Sequence, residues 1–274
     1  MKRFAFFLLS LCLLFTACKK NRGDIPTSPP AGKLPPLKTV VYQSLPSPYY
    51  HFEYDANGKV NKAAFASGAF TYNLFYHNNQ VKEMKSILAS TKISTTYQYD
   101  NAGRISLVKM SSEDGSQVFK RAFLSYDNQN RLTEIEWELN TAAGFALQRT
   151  LSFLYNTDGN LREKKDHRHF IEGKQQEATY LDRFEQYDNK VNVDDFSLLH
   201  ESSEHLVLFP GVQLQHGNPL KLIRTGDGTN YEITYTYSYN ANKQPLQRIG
   251  SMLITNGPQS GQTFQLTAGY SYYD

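Results

Sequence analysis

The sequence predicts an all-β body, an antiparallel up-and-down meander of repeated hairpins that is strongly curled or closed into a barrel-like sheet. A four-residue phrase recurs along the chain: an aromatic residue, then any residue, then Tyr and Asp. Its copies are about 27 residues apart, a length that suits one β-hairpin with its two connections. Apolar and small polar residues alternate before the phrase, most clearly from Ile233 to Tyr239. No proline lies between Pro48 and Pro210, as a continuous hydrogen-bonded sheet requires. We therefore expect about 14–18 strands.

The chain begins with a leader, residues 1–17. Lys2 and Arg3 precede an apolar run of about a dozen residues, which is too short to cross a bilayer as a helix and is typical of a secretory signal. The run ends in Leu-Phe-Thr-Ala-Cys, where small residues precede Cys18 as in a bacterial lipobox. We therefore expect cleavage before Cys18 and lipid attachment to its sulfur. The alternative is an ordinary signal peptide that is cut after Ala17.

Residues 18–39 are predicted to be the lipidated cysteine and a proline-rich tether that populates extended conformers. Cys12 lies in the leader, so the mature chain would offer neither a disulfide nor a thiolate site. The chain has 29 Lys and Arg against 26 Asp and Glu, which favours no nucleic-acid partner. We expect the membrane to be a partner through the lipid anchor, and we expect no cofactor.

Residues 40–274 are predicted to form a single hairpin-repeat domain. In one copy of the phrase, Asp100 can bond its own backbone two residues on, and Gly103 suits a position with positive φ. Asn130 stands at the equivalent place in another copy. After the turns the apolar spacing slips from two to three, which predicts a β-bulge. Pro219 and Pro245 should lie at the first residue or the edge of a strand.

One stretch departs from the repeat. Near residues 194–206 two Asp are followed by apolar residues at helical spacing, which predicts a short amphipathic helix with an Asp N-cap. Such a helix would shield apolar surface at one end of the sheet.

The Tyr-Asp-x-x-Gly-Arg-Ile/Leu phrase resembles the YD repeats of RHS-type proteins, whose hairpins build a continuous curling sheet. The lipobox, the tether, the Tyr-Asp-Asn-Lys and Asn-Pro-Leu-Lys copies and the late Tyr-x-Tyr-x-Tyr strand more closely resemble a family of uncharacterised Bacteroidetes lipoproteins, which carry a domain of unknown function built from such hairpins. The resemblance covers roughly residues 40–274. It implies a lipid-anchored outer-membrane protein, on either the periplasmic or the surface face, and supplies no activity.

Two sets of residues could carry chemistry. His167 and His169 should project from one strand face, two residues apart, as some metal sites require. Because no third ligand is near in sequence, a solvated strand is the favoured interpretation.

The other set is the rows of Tyr, with Tyr97, Tyr99, Tyr235 and Tyr237 as candidates. Such rows could stack on sugar rings or on a peptide. The favoured interpretation is structural, since cross-strand aromatic pairs stabilise a sheet.

We therefore expect a non-enzymatic binding or scaffold lipoprotein of the cell envelope, with an envelope glycan or peptide as a possible partner. One alternative is an outer-membrane-spanning barrel, and another is an envelope-polymer hydrolase whose acid pair the sequence does not locate. Against the spanning barrel, Lys120 and Arg149 would lie on the lipid face, where each could cost about 2–4 kcal/mol at the midplane.

Overall fold

A computed structural model describes residues 34–87, 92–200 and 205–274. These residues form sixteen antiparallel strands, each paired with its neighbours in chain order. The first strand also pairs with the last, with Val40 opposite Tyr270. The predicted antiparallel meander is confirmed, and of the two predicted forms, curled or closed, the sheet adopts the closed barrel. The strands are β1 (Leu37–Tyr42), β2 (Tyr50–Tyr54), β3 (Val60–Phe65), β4 (Phe70–His77), β5 (Gln80–Ser86), β6 (Ile93–Tyr99), β7 (Ile105–Ser112), β8 (Val118–Tyr126), β9 (Leu132–Thr141), β10 (Gly144–Tyr155), β11 (Leu161–Arg168), β12 (Ala178–Tyr187), β13 (Pro219–Gly226), β14 (Asn230–Tyr239), β15 (Pro245–Asn256) and β16 (Thr263–Tyr272).

The Tyr-Asp turns lie together at one end of the barrel, which we call the turn end; the opposite end is the far end. At the turn after β6, the Asp100 carboxylate accepts the backbone N–H groups of Ala102 and Arg104, both at 2.9 Å. Gly103 and Asn130 have φ of 78° and 62°. The pairing register shifts at this turn and at its equivalents, and the two predicted prolines begin β13 and β15. The predicted Asp turn, the positive φ at Gly103 and Asn130, the β-bulge after the turn and the positions of the two prolines are therefore confirmed.

A ring of tyrosines joins neighbouring strands at the turn end. The Tyr126 hydroxyl donates to the carbonyl oxygen of Ile105, at the start of the preceding strand, over 2.8 Å. The same contact, at 2.6–2.8 Å, is made by Tyr54, Tyr76, Tyr99, Tyr155, Tyr187 and Tyr272. The Arg104 guanidinium lies over the Tyr126 ring, 4.6 Å from its centroid. The recurring phrase therefore encodes contacts between successive hairpins as well as the turn itself.

The aromatic face of the strands lines the lumen, and the lumen is the hydrophobic core. Residues such as Tyr97, Ile135 and Phe153 are buried there. On β14, Thr234 and Thr236 alternate with inward-facing Tyr235 and are exposed on the outer wall. The outer wall carries charged residues on most strands: Glu53, Lys62, Glu83, Lys85, Lys109, Arg121, Glu134, Glu136, Glu138, Glu163, Lys165, Arg183, Glu185, Lys221 and Glu232. The lumen is therefore mainly apolar, and the outer wall combines many charged side chains with exposed apolar ones such as Phe75, Phe123 and Leu154.

Lys120 and Arg149 lie on the inner face. Lys120 is buried with its Nζ 4.7 Å from the centroid of the Trp137 ring, and Arg149 is buried against Asp166. The expectation that Lys120 and Arg149 would meet lipid is wrong, because the aromatic face that carries them faces the lumen.

The predicted helix near residues 194–206 is reduced to a single 3₁₀ turn, Asp195–Leu198, with residues 201–204 outside the described part of the chain. Asp194 makes no capping hydrogen bond. The physical reason is competition from the barrel wall, which supplies partners for the backbone. The Leu198 carbonyl accepts from Lys164 at 3.3 Å, and the Asp194 carboxylate, the predicted cap, accepts from the Tyr270 hydroxyl at 3.1 Å.

Candidate functional site

The lumen is occupied by the connection between β12 and β13, residues 188–200 and 205–218, which we call the plug. Near its beginning, the Phe196 ring packs edge-on against Tyr50, with ring centroids 4.9 Å apart. The His200 Nδ1 then forms a 2.6 Å hydrogen bond with the Tyr50 hydroxyl, beside the far-end connection between β1 and β2. On the return, His205 Nδ1 lies 2.9 Å from the Tyr72 hydroxyl. The plug therefore extends from the turn end towards the far end.

Apolar plug residues complete the core. Leu206, Leu208, Phe209 and Leu214 are buried, and the Phe209 ring lies edge-on to Trp137 at 6.3 Å. A side chain of this size is stabilised by about 1.5–3 kcal/mol on full burial, so the plug contributes substantially to the stability of the barrel.

The plug is anchored at one buried carboxylate, Asp194. Its Oδ2 accepts hydrogen bonds from the hydroxyls of Tyr270, at 3.1 Å, and Tyr42, at 3.4 Å. Arg248 Nη1 lies 3.3 Å from the same oxygen. Burial raises the pKa of Asp194 even though Arg248 and the two hydroxyls oppose that rise. This cluster ties the plug to β1, β15 and β16.

The next residue, Asp195, forms hydrogen bonds within the plug and joins its beginning to its end. Its Oδ2 accepts the backbone N–H groups of Leu214 at 2.8 Å and Gln215 at 3.1 Å. Burial raises the pKa of Asp195 to about 7, although those two hydrogen bonds favour the ionised form.

A ladder of ion pairs crosses four neighbouring strands, β10 to β13, on the inner face. Arg149 forms a bidentate pair with Asp166 at 2.7 and 2.8 Å. Asp182 receives the Arg224 fork at 2.6 and 2.7 Å and Lys164 Nζ at 3.1 Å. Burial alone would raise the pKa of Asp182, but hydrogen bonds from Arg224 and the charge of Lys164 hold it below its ordinary value. The ladder borders a cavity of about 460 Å³.

Two further cavities lie in the barrel, one at each end. The turn-end cleft, of about 600 Å³, lies between the plug and β1 to β4 and is mostly apolar, with Phe52, Tyr76 and Phe209 in its walls. The far-end cavity, of about 490 Å³, lies over β14, β15 and β16, and Arg248 and Tyr235 line it. Both volumes are in the usual range for small-molecule sites, about 300–1,000 Å³.

The four candidate tyrosines all lie on the inner face. The hydroxyls of Tyr97, Tyr99 and Tyr237 donate to backbone carbonyl oxygens at 2.9, 2.8 and 3.0 Å, so they are engaged in the fold. Tyr235 differs, because its ring lies 5.4 Å from the Arg248 guanidinium and borders the far-end cavity. The structure thus brings one of the four, Tyr235, to the far-end cavity beside Arg248, whereas Tyr237 borders the smaller cavity of about 100 Å³.

His167 and His169 lie together, with ring centroids 4.3 Å apart. His167 Nδ1 is 2.9 Å from the Thr179 hydroxyl, and His169 Nε2 is 2.9 Å from the Thr150 hydroxyl. Within residues 34–87, 92–200 and 205–274, no group of three or more His, Cys, Asp or Glu side chains is arranged to hold a metal ion. Cys18, the predicted leader and the predicted tether up to residue 33 lie outside the described residues.

Sequence reasoning missed Asp194 and Arg248 as a site. The sequence pattern predicts a helix cap at Asp194, whereas its carboxylate meets groups more than fifty residues away in sequence. Arg248 could have been found from its phase on β15, where Arg248, Gly250 and Met252 share the inner face opposite the Tyr row of β14.

Among the described residues, no helix combines the length and the apolar character needed to cross a membrane.

Comparison with known proteins yields structural neighbours alone. The sequence matches no protein-family profile and no curated protein. A porin-like protein from Bacteroides uniformis is similar in structure, with a TM-score of 0.57, 14% identity and coverage of 82% of this chain and 89% of that one. A porin-like protein from Bacteroides vulgatus has a TM-score of 0.55, 13% identity and coverage of 87% of this chain and 99% of that one. At such identities the likeness shows a shared barrel fold.

Proposed function

We propose that the chain is a lipid-anchored, water-exposed barrel of the outer membrane that serves as a non-enzymatic binding module. The observation that carries this proposal is the charged outer wall. Glu136, in the middle of β9, lies between Phe123 and Thr150 of the adjacent strands, and Lys165 and Arg183 occupy the middle of β11 and β12. In a spanning barrel these side chains would meet hydrocarbon, and each Lys or Arg would cost about 2–4 kcal/mol at the midplane.

The filled lumen supports binding rather than conduction. Membrane channels keep a polar, water-filled interior. Here the plug places Leu206, Phe209 and Leu214 at the centre of the barrel, where each is buried. The turn-end cleft beside the plug and the far-end cavity over β14 to β16 have the size of small-molecule sites.

The buried acids support a non-enzymatic role. Asp166 and Asp182 border the cavity of about 460 Å³ but are engaged by Arg149, Arg224 and Lys164. Asp194 and Asp195 also border cavities, and Asp195 lies at the turn-end cleft. One oxygen of each accepts hydrogen bonds that hold the plug, and the other oxygen is buried without a hydrogen-bond partner among the described residues. A hydrolytic acid or base must instead reach the reacting atoms directly or through one water.

The test is release from the membrane. The Cys18→Ser chain should leave the membrane fraction and remain soluble and β-rich by circular dichroism without detergent, whereas the wild-type chain should partition into a detergent phase. Both proteins should unfold at similar temperatures, because residue 18 precedes the first strand, Leu37–Tyr42, in the sequence. A Cys18→Ser chain that dissolves only in detergent contradicts the proposal.

The likeness to porin-like proteins favours the alternative, a barrel that spans the outer membrane. The same experiment separates the two, since a spanning barrel stays in the membrane fraction whether or not Cys18 is lipidated. An envelope-polymer hydrolase would instead show turnover that is lost in Asp195→Asn.

A further inference from the structure

We propose that the far-end cavity binds an amphipathic carboxylate, with the carboxylate head on Arg248 and the Tyr235 hydroxyl and the apolar tail along β15 and β16. The proposal rests on the proposed function, because a binding module that lacks a ligand site would act only as a scaffold. It adds the position of the site, the groups that recognise the ligand and the chemical class of the ligand.

The first argument is the charge of the cavity. Of the described residues that line it, only Arg248 carries a full charge; the others are apolar or neutral polar. Asp194 partners Arg248 but lies behind it, 7% exposed, and borders a separate cavity of about 100 Å³. The far-end cavity therefore presents a cation without a carboxylate, which complements an anionic head group.

The second argument is the set of unused donors. Arg149 and Arg224 each direct a bidentate fork at one carboxylate. Arg248 instead forms a single ion pair among the described residues, with its Nη1 3.3 Å from Asp194 Oδ2. It makes no hydrogen bond within the described part of the chain. A guanidinium has five N–H donors in a fork that matches a carboxylate. The Tyr235 hydroxyl likewise makes no hydrogen bond to any described residue, unlike the Tyr237 hydroxyl beside it.

The third argument is the wall. The apolar wall of the cavity is formed by Met252 of β15 and by Phe264, Leu266 and Ala268 of β16. Phe264 and Leu266 remain 36% and 40% exposed although they share the inward phase of the buried Ala268 and Tyr270. An apolar tail would cover them, and each buried CH₂ group strengthens binding about fourfold.

The experiment is calorimetric titration of the Cys18→Ser chain with octanoate, hexanoate, octan-1-ol and octylammonium. Octanoate should bind about fifteenfold more tightly than hexanoate, because it has two more CH₂ groups. It should also bind at least tenfold more tightly than octan-1-ol and octylammonium, which lack the anionic head. Equal binding of octanoate and octylammonium, or no octanoate binding at millimolar ligand, overturns the proposal.

Substitutions locate the site. Leu266→Glu places a carboxylate in the cavity wall and should weaken octanoate binding at least tenfold. The matched control is Leu253→Glu, since Leu253 is 42% exposed on the outer wall of β15 and does not line the cavity. Octanoate affinity should be unchanged in this control. Equal weakening by both substitutions overturns the proposal.

Tyr235→Phe tests the head-group contact without disturbing the buried charges. It should weaken octanoate binding severalfold and leave octan-1-ol binding unchanged, and equal effects on both ligands contradict the proposed contact. Arg248 is not replaced, because its loss would leave Asp194 buried without its cation. A soluble, folded chain that does not bind octanoate refutes this inference alone. A chain that dissolves only in detergent refutes the proposed function and this inference with it.

Discussion

Replacement of Asp182 by Asn should be among the most destabilising isosteric changes in the barrel wall. The Asp182 side chain is 3% exposed and neutralises two cations, the Arg224 fork at 2.6 and 2.7 Å and Lys164 Nζ at 3.1 Å. Asp182→Asn keeps the shape but leaves the buried Lys164 and the partly buried Arg224, whose side chains are 9% and 30% exposed, without their anion. Breaking a buried pair in this way costs about 3–5 kcal/mol in the free energy of unfolding.

Urea denaturation of the soluble chain measures this loss. The matched control is Glu53→Gln, which breaks the Glu53–Lys62 pair at 2.9 Å on the outer wall, where the two side chains are 42% and 39% exposed. That pair should contribute no more than about 1 kcal/mol. If Asp182→Asn costs no more than Glu53→Gln, the lumen is hydrated and the reasoning is refuted.

The pH dependence has a defined sign. The pKa of Asp182 is lower in the folded chain than its ordinary value, so its stabilisation is present above the unfolded pKa of about 4 and is lost as the pH falls through the folded pKa. The difference in stability between the wild-type chain and Asp182→Asn should therefore be constant from about pH 6 to pH 8 and shrink below about pH 4. A difference that grows on acidification contradicts the assignment.

Three further predictions concern single groups. Tyr126→Phe should cost about 1 kcal/mol in urea unfolding, because it removes the 2.8 Å bond to a carbonyl, whereas Tyr180→Phe should cost under about 0.5 kcal/mol, because the Tyr180 hydroxyl makes no hydrogen bond to a described residue. Gly103→Ala should cost about 1 kcal/mol or more at φ 78°, and Gly269→Ala, which has open space and no positive φ, should not; equal melting temperatures would contradict this. Because burial raises the pKa of Asp195 to about 7, the wild-type chain should lose stability relative to Asp195→Asn as the pH rises from about 4 to 7, and a constant difference would refute the burial argument.

The hairpin repeat was predictable because its information is local. Asp100 and Gly103 determine the turn within five residues, and the alternation before the turn separates the two faces of the strand. Closure of the sheet could not be predicted in the same way, because a curled open sheet and a closed barrel share the same local sequence pattern. What closes the barrel is the pairing of Val40 with Tyr270, 230 residues away in sequence, which no local signal specifies.

The plug and its anchor were not predictable for the same reason. Asp194 followed by apolar residues has the pattern of a capped helix, and in isolation that would be its best conformation. In the barrel, the Tyr42 and Tyr270 hydroxyls and Arg248 bind its carboxylate from the first and the last two strands. Tertiary contacts therefore override the local preference. The position of Arg248 beside Tyr235 likewise depends on the register of β14 and β15, which the sequence leaves open.

The most direct test of a water-exposed, plugged barrel is thiol labelling in isolated envelopes. Thr236→Cys and Gln98→Cys place a thiol on the exposed outer wall of β14 and β6, and Ala122→Cys places one on the fully buried inner face of β8. A charged, membrane-impermeant maleimide should label the two outer-wall thiols without detergent and leave the Ala122→Cys thiol unlabelled until the chain is unfolded. Outer-wall thiols that react only after detergent dissolves the membrane would show that the wall faces lipid and would contradict the proposed function.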